Sequence, residues 1–343
     1  MTPTTNRHAV SLLLCAAATA LILPPAGRAA SPPPRNRLLV GPRMGFNIRA
    51  DFRPQGSGVN PGPGTGGAVN RTYEDGFMGV DRSGNAGNQS WYWGYQNDSQ
   101  VDPAADALSM HADLGDRPTF SDVTDNPQVG VEALYQRLLG EFGGAGWGLE
   151  TGAAWMPVDI ANSHGFAANW TRLTDAYSLG GILPPAAPYT GSVDGPGPAI
   201  GSEPARNTVA QSVIVHGREH VDSQVFGIRL GPVLDVPMGA PLSLQLSGGL
   251  LVTYLHTEFS YREQVQYADG STGGGGGSTI ENDWLVGGYA RGQIIVHVSR
   301  NVGFYGAAEF QALPEVDYYA GPWKTTLDMG STVYGSAGVV VQF

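Results

Sequence analysis

Residues 329–343, MGSTVYGSAGVVVQF, end the chain with a regular alternation of period two. Odd positions read Met, Ser, Val, Gly, Ala, Val, Val and Phe, whereas most even positions are small or polar. Successive side chains of a β-strand point to opposite faces. The segment therefore predicts a strand with one nearly apolar face, and the last residue, Phe343, lies on that face.

Seven further segments repeat this alternation. In the first, 38–52, apolar residues occupy the even positions, whereas the odd positions carry Arg43, Arg49 and Asp51. With the final segment they make eight predicted strands and an all-β fold. The other six segments are 129–135, 147–155, 226–236, 242–253, 284–298 and 304–310.

The connections between these strands alternate strictly in length. Three are short turns, at 141–146, 237–240 and 299–301, and four are long, at 54–127, 161–210, 263–281 and 314–328. A soluble sandwich with Greek-key links has no reason to follow this rule. Antiparallel barrels that cross membranes do follow it, with short turns at one end and long loops at the other. The pattern predicts a closed antiparallel β-barrel.

The polar faces of the predicted strands carry balanced charge. An eight-stranded barrel is only wide enough for side chains to fill its interior, so we expect these residues to form a salt-bridged lumen. If the turn at 299–301 is centred on Arg300, Arg291 lies directly opposite Glu309. The alternative is a soluble two-sheet sandwich whose polar faces contact water. The predicted lumen network comprises Arg43, Arg49, Asp51, Glu132, Glu150, Arg229, Arg291 and Glu309.

The beginning of the chain has the layout of a secretory signal. Arg7 precedes an apolar run at 9–23, which is followed by small residues at 26–30. We expect residues 1–30 to be cleaved, and residues 31–343 to form a single domain. The sole cysteine, Cys15, would leave with the signal.

The charge balance excludes one class of partner. The chain has 19 basic and 30 acidic residues and a net charge of −11. Lys324 is its only lysine. Nucleic-acid binding needs clustered basic residues, so no nucleic-acid partner is expected.

The final amphipathic strand, ending in Phe343, resembles the terminal strand of bacterial outer-membrane β-barrel proteins. The resemblance implies a transmembrane β-barrel of about eight strands, with long extracellular loops and short periplasmic turns, in the outer membrane of a Gram-negative bacterium. It also implies contact with outer-membrane lipids, and recognition by the outer-membrane assembly machinery through the Phe343 strand. Aromatic residues near strand ends fit interfacial belts: Trp147, Trp155, Trp284, Tyr135, Phe52 and Phe343.

The long loop 54–127 contains an aromatic cluster, Trp91, Trp93 and Tyr95, which shares one face if the segment is extended. It could pack the loop, offer a sugar-binding platform, or join extra strands with residues 107–110, which would give a ten-stranded barrel.

No metal site or cofactor is predicted. Asp81, Ser83 and Asn85 have the spacing of a calcium-loop start, but Tyr92 stands where the bidentate acid is needed. The chain is also not predicted to be an enzyme, because no motif links the rim residues into the catalytic site of a hydrolase or acyltransferase. These rim residues are Ser212, His216, Glu219, His220, His256, Glu258 and Ser260.

Two functions remain open. The first is a structural or surface-interaction protein with loops outside the cell and a filled lumen. The alternative is a narrow or gated porin for small solutes. The sequence identifies no surface ligand.

Overall fold

The computed structural model describes residues 35–55, 59–268 and 270–343. The expected signal peptide, residues 1–30, lies outside these residues. Within them, the chain is all-β apart from two short 3₁₀ helices, Ala86–Asn88 and Asp98–Gln100. No helix in the described ranges has the length and apolar character needed to span a membrane.

Twenty strands follow one another along the chain. They are β1 Asn36–Phe46, β2 Arg49–Pro54, β3 Arg71–Thr72, β4 Gly76–Met78, β5 Gln89–Ser90, β6 Trp93–Tyr95, β7 Val101–Asp102, β8 Ala107–Leu114, β9 Phe120–Val123, β10 Gln128–Phe142, β11 Ala145–Ser178, β12 Tyr189–Thr190, β13 Ile200–Gly201, β14 Ala205–Gly239, β15 Leu242–Tyr267, β16 Thr272–His297, β17 Val302–Ala312, β18 Val316–Ala320, β19 Trp323–Asp328 and β20 Thr332–Gln342.

Eight of these strands form a ring of antiparallel pairs. Its order is β1, β10, β11, β14, β15, β16, β17 and β20, and β20 pairs again with β1. The predicted all-β fold, with a sheet ring of about eight strands, is confirmed. Residues 107–110 do join the sheet, because β8 pairs with Thr171–Ser178 of β11. However, β8 lies beyond the end of β10 and is not part of the ring.

The two ends of the ring differ. Asn36 and Phe343 hydrogen-bond to each other through their backbones, and this end also carries the three short turns, which we call the lower end. The upper end carries the connections between β1 and β10, β11 and β14, β15 and β16, and β17 and β20. The three predicted short turns therefore do lie at one end of the ring, together with both ends of the described chain.

The ring strands extend into two connections predicted as long loops, so the predicted bounds 161–210 and 263–281 are wrong. The β11–β14 pairing continues without interruption from Gly146↔Asp235 to Ala176↔Ala205, so both flanks of 161–210 are paired and only residues 179–204 connect β11 to β14. Between β15 and β16 only residues 268–271 remain outside the strands. Even the glycines at 273–277 pair with β15, because ladder hydrogen bonds need only the backbone.

The first predicted strand, 38–52, is broken. Asn47 has a positive φ of 64°, so the chain leaves the ring after Phe46, and β2 pairs with β19 instead. The break also reverses which side of the chain is buried. Phe46 is exposed, whereas Ile48 and Phe52, predicted on the same face, are fully buried. Phe52 therefore does not belong to an outer aromatic belt, as the sequence predicted.

An aromatic row marks a change in the wall of the ring. Trp155, Phe226, Tyr254 and Trp284 are consecutive register partners across β11, β14, β15 and β16. They face outward, and Tyr254 packs against Phe226 and Trp284 with centroids 6.4 and 5.0 Å apart. We call these four residues the upper aromatic row.

Below the upper aromatic row, the outside of the ring is apolar. Exposed hydrophobic side chains run from Leu38 to Phe46 on β1 and from Trp147 to Trp155 on β11. Each stretch has the length of about 9–11 residues that a membrane-crossing strand needs. Others in this band include Val131, Leu149, Ile228, Leu230, Leu250, Val252, Val286, Ile294 and Val339.

Above the row, the arrangement is reversed. The outer face carries polar residues such as Asp159, Asp222 and Glu258. The inner face forms a large apolar core that packs β2, β18 and β19 against the extended strands. Its buried members include Met156, Val158, Ile160, Val221, Leu255, Phe259, Tyr318 and Trp323.

Candidate functional site

The lower half of the ring contains a compact layer of charge. Three arginines and three glutamates meet there, each from a different strand, and all six side chains are at most 5% exposed. They alternate with outward apolar residues, so the period of the strands directs them inward. The layer consists of Arg43, Glu132, Glu150, Arg229, Arg291 and Glu309.

Arg229 and Arg291 connect the layer. Arg229 Nη2 lies 3.4 Å from Glu132 Oε2, and its Nε lies 3.6 Å from Glu150 Oε1. It also donates to Glu309. Arg291 lies 2.7 Å from Glu132 and 3.1 Å from Glu309, and the register places it opposite Glu309, as the turn at Arg300 predicts.

Aromatic and amide side chains fill the space around this layer. Arg43 lies over the Tyr334 ring at 3.7 Å, and the Tyr305 hydroxyl donates to Glu132 at 3.1 Å. Gln136 donates to Glu150 at 2.7 Å, and Gln311 donates to Glu309 at 2.6 Å. With equal numbers of opposite charges and these partners, the carboxylates are compensated despite their burial.

A cavity opens below the charge layer at the lower end. It has a volume of about 1020 Å³, and its lining includes Arg35, Arg37, Asp235, His297 and Gln342. Arg37 and Asp235 form an ion pair of 2.7 Å within it. The cavity is thus a vestibule at the lower end that is lined by both charged and apolar residues.

Arg49 and Asp51 lie outside the lumen network, and the prediction that included them is wrong. Arg49 pairs with Asp122 at 2.6 Å, and Asp51 pairs with Arg53 at 2.6 Å. Both pairs are partly exposed to solvent. The reason is the left-handed Asn47, which ends the alternation that had placed these residues on the same face as Arg43.

The loop aromatics form part of a second core rather than a surface platform. Trp93 and Tyr95 are buried and stacked with centroids 5.9 Å apart, and Tyr189 from the β11–β14 connection lies 4.6 Å from Trp93. Trp93 Nε1 donates to Pro198 O at 2.8 Å. Trp91 is only half-buried and donates to Val193 O at 3.3 Å. The cluster therefore joins two loops.

A buried ion pair holds the same loops to the long strands. Asp175 of β11 is fully buried and accepts two hydrogen bonds from Arg206 of β14, at 2.8 and 2.6 Å. Arg206 also donates to Pro61 O and Gly62 O of the first loop. Burial raises the pKa of the nearby Tyr177 hydroxyl to about 12, so this hydroxyl stays protonated. This clamp was not predicted from the sequence, because Asp175 and Arg206 both fall in the segment 161–210 that was expected to be a loop.

The rim residues do not assemble into a catalytic triad. His216, His220, Ser212 and Ser260 lie on the outer face, whereas Glu219 is fully buried on the inner face. His220 pairs with Asp159 at 3.1 Å. No group of three potential metal ligands occurs among the described residues.

Glu219 instead contacts Asn162 and His164, two residues that were not predicted as site residues. Its carboxylate accepts from Asn162 at 2.9 Å and lies 3.0 Å from Nε2 of His164. The His164 ring stacks on Phe120 with centroids 4.4 Å apart. Burial raises the pKa of the Glu219 carboxyl, and the contact with His164 opposes that rise. The alternation of 156–170 is the signal that could have placed Asn162 and His164 on one face of the strand.

No family model and no curated protein matches this chain. Among solved structures, it is similar to the outer membrane protease OmpT from Escherichia coli, with 10% identity, 92% of this chain and 99% of that chain covered, and a TM-score of 0.29. It is also similar to Ail of Yersinia pestis, with 8% identity, coverages of 90% and 99%, and a TM-score of 0.28. A Pseudomonas aeruginosa FadL homologue aligns with 8% identity, 90% of each chain and a TM-score of 0.21. At these scores the superpositions do not establish a function.

Proposed function

We propose that this chain is a closed transmembrane β-barrel of the Gram-negative outer membrane. The observation that carries the proposal is the reversal of polarity at the upper aromatic row. Below it the ring is apolar outside and charged inside, which suits hydrocarbon around the wall. Above it the ring is polar outside and apolar inside, which suits water. Aromatic side chains at the change fit a membrane interface.

In this proposal the lower end faces the periplasm and the upper end faces the cell exterior. The short turns and both ends of the described chain share the lower end, as in bacterial barrels. Residues 1–30 act as a cleaved signal, and residues 31–343 form one domain. The terminal strand ending in Phe343 serves recognition by the assembly machinery, and the exposed apolar band contacts outer-membrane lipids.

The role that fits the interior best is structural support and surface interaction, without transport or catalysis. Support comes from the charge layer, whose six side chains and their aromatic neighbours occupy the lumen. Further support comes from the contacts that fix the first loop above the ring. These are the stacked Trp93 and Tyr95 and the Asp175–Arg206 pair. A fixed loop presents a constant surface outside the cell.

Membrane fractionation tests the location. The protein should sediment with outer membranes and migrate faster on a denaturing gel when it has not been heated. Recovery in the soluble fraction with no change of migration on heating would overturn the proposal.

A narrow or gated porin is the second candidate, and the vestibule below the charge layer favours it. Conductance in planar bilayers separates the two functions. We expect no stable channel steps from the native protein, because the charge layer occupies the lumen. Steps that Arg229→Ala enlarges would support the porin, since they would place the conducting path at this layer.

A further inference from the structure

Two arginines stand side by side on the outer wall above the upper aromatic row. Arg218 of β14 and Arg262 of β15 are direct register partners. Both side chains are exposed on the polar outer face. Like charges directly opposite each other on a sheet are destabilising. The position therefore has an energetic cost that the fold alone does not explain.

Neither arginine is neutralised by the rest of the chain. Within the ranges that the structure describes, neither side chain forms an ion pair, a hydrogen bond or a cation–π contact. Some exposed arginines elsewhere do have carboxylate partners, as in Arg53–Asp51 and Arg82–Asp194. The two arginines are therefore both unpaired and adjacent, in a chain with a net charge of −11.

The nearest cross-strand neighbours of the pair are uncharged. The register partner of Arg218 on β11 is Ser163, and that of Arg262 on β16 is Gly276. Gly276 belongs to the exposed glycine run of β16. His216 and Gln264, another register pair, flank the arginines on the same face. Because the neighbouring Gly276 has no side chain, a large anionic group has room to approach the two guanidinium groups.

We propose that Arg218 and Arg262 form a binding site for phosphate groups carried on a saccharide. Two adjacent guanidinium groups offer the forked donor geometry that phosphate oxygens accept. The proposal rests on the proposed membrane position. Arg218 precedes Phe226 of the aromatic row by eight residues, or roughly 26 Å along a strand, which is the zone of membrane-attached sugars rather than of lipid chains.

The phosphorylated saccharide can come from two sources, lipopolysaccharide of the same leaflet or a soluble molecule outside the cell. The full chain, refolded in detergent, would be titrated with lipopolysaccharide bearing core phosphates and with the same material after dephosphorylation. A second titration would use inositol hexakisphosphate as the soluble probe. The variants are R218Q/R262Q and a control, R53Q/R82Q, which removes the same charge from arginines that already have partners.

We expect R218Q/R262Q to bind the phosphorylated probe about tenfold or more weakly, because charge-assisted hydrogen bonds are lost. R53Q/R82Q and the dephosphorylated probe should show no such difference. If R218Q/R262Q weakens binding of lipopolysaccharide only, the site is assigned to lipopolysaccharide of the same leaflet. If it weakens binding of inositol hexakisphosphate only, the site is assigned to a soluble molecule outside the cell. Equal binding by wild type and R218Q/R262Q, or no binding by wild type to either probe, overturns the site.

A stability measurement adds an independent readout. Without ligand, R218Q should unfold at a slightly higher temperature than wild type, because one of two repelling charges is gone. A lower unfolding temperature would contradict the proposal, since it would mean that Arg218 serves the fold. Membrane fractionation and heat-modifiable migration of the same variants report separately on the proposed location.

Discussion

The lower and upper halves of the ring are built from the same strands but place their polar residues on opposite sides. On β14, Ile228 and Leu230 face outward below the upper aromatic row, whereas Val221 and Val225 face inward above it. On β11, Trp155 is the last of the outward apolar residues, and Met156 begins the inward ones. A strand keeps its alternation throughout. The surrounding medium decides which face is apolar.

The two halves therefore owe their stability to different interactions. The lower interior combines compensated charges with a small buried apolar cluster around Leu39 and Leu134, whereas the upper interior depends mainly on buried apolar surface, as in a soluble protein. Four substitutions test this contrast, with free energies of unfolding measured by denaturant titration in lipid vesicles.

Arg229→Ala should have the largest effect. The arginine contacts Glu132, Glu150 and Glu309, and its removal leaves buried carboxylates without a cation, at a cost of about 3–5 kcal/mol. Arg49→Ala is the control, because its ion pair with Asp122 is partly exposed and such pairs contribute about 0–1 kcal/mol. Equal losses would mean that the charge layer is not a compensated unit.

Leu255→Ala should destabilise the upper half by about 2–5 kcal/mol, because it leaves a cavity in the apolar core. Leu250→Ala on the same strand removes an outward side chain that is 66% exposed. Lipid can fill the space there, so we expect a loss of at most about 1 kcal/mol. A larger loss for Leu250 than for Leu255 would contradict the reversal of polarity.

Leu230→Arg tests the medium around the lower half directly. A charge on the lipid face near the middle of the bilayer costs about 2–4 kcal/mol. Ala210→Arg places the same charge on the same strand above the row, where the exposed position should change stability by less than about 0.5 kcal/mol. If both variants are equally stable, the lower wall is not in hydrocarbon.

Glu219→Gln should give the smallest effect, visible only as a change with pH. The folded-state pKa of Glu219 is raised by burial, so the folded protein binds this proton more tightly than the unfolded chain. Its contribution to stability is present below the unfolded pKa and is lost as pH rises through the raised folded pKa. In Glu219→Gln, the free energy of unfolding should therefore decline less as pH rises through that range. An unchanged pH profile would show that Glu219 does not titrate in this way.

Much of the fold was predictable because alternation is a local property. The eight ring strands, the inward direction of six charged residues and the Arg291–Glu309 register all follow from counting along the chain. The lengths of β11 and β14 were underestimated. Beyond Trp155 the apolar residues of β11 change from odd to even positions. A strand predicted from one continuous apolar face therefore ends at Trp155, although the real strand continues.

The sequence alone determined the period, the antiparallel order of the ring and the balance of charge on its inner face. Only the tertiary structure decided where Asn47 takes the chain out of the ring, that Arg49 therefore leaves the lumen network, and that Trp93 and Tyr95 are covered by a distant loop. It also brought Arg218 beside Arg262. The physical reason is that alternation fixes the face of a residue within its own strand, whereas its neighbours depend on register and loop contacts between residues far apart in the chain.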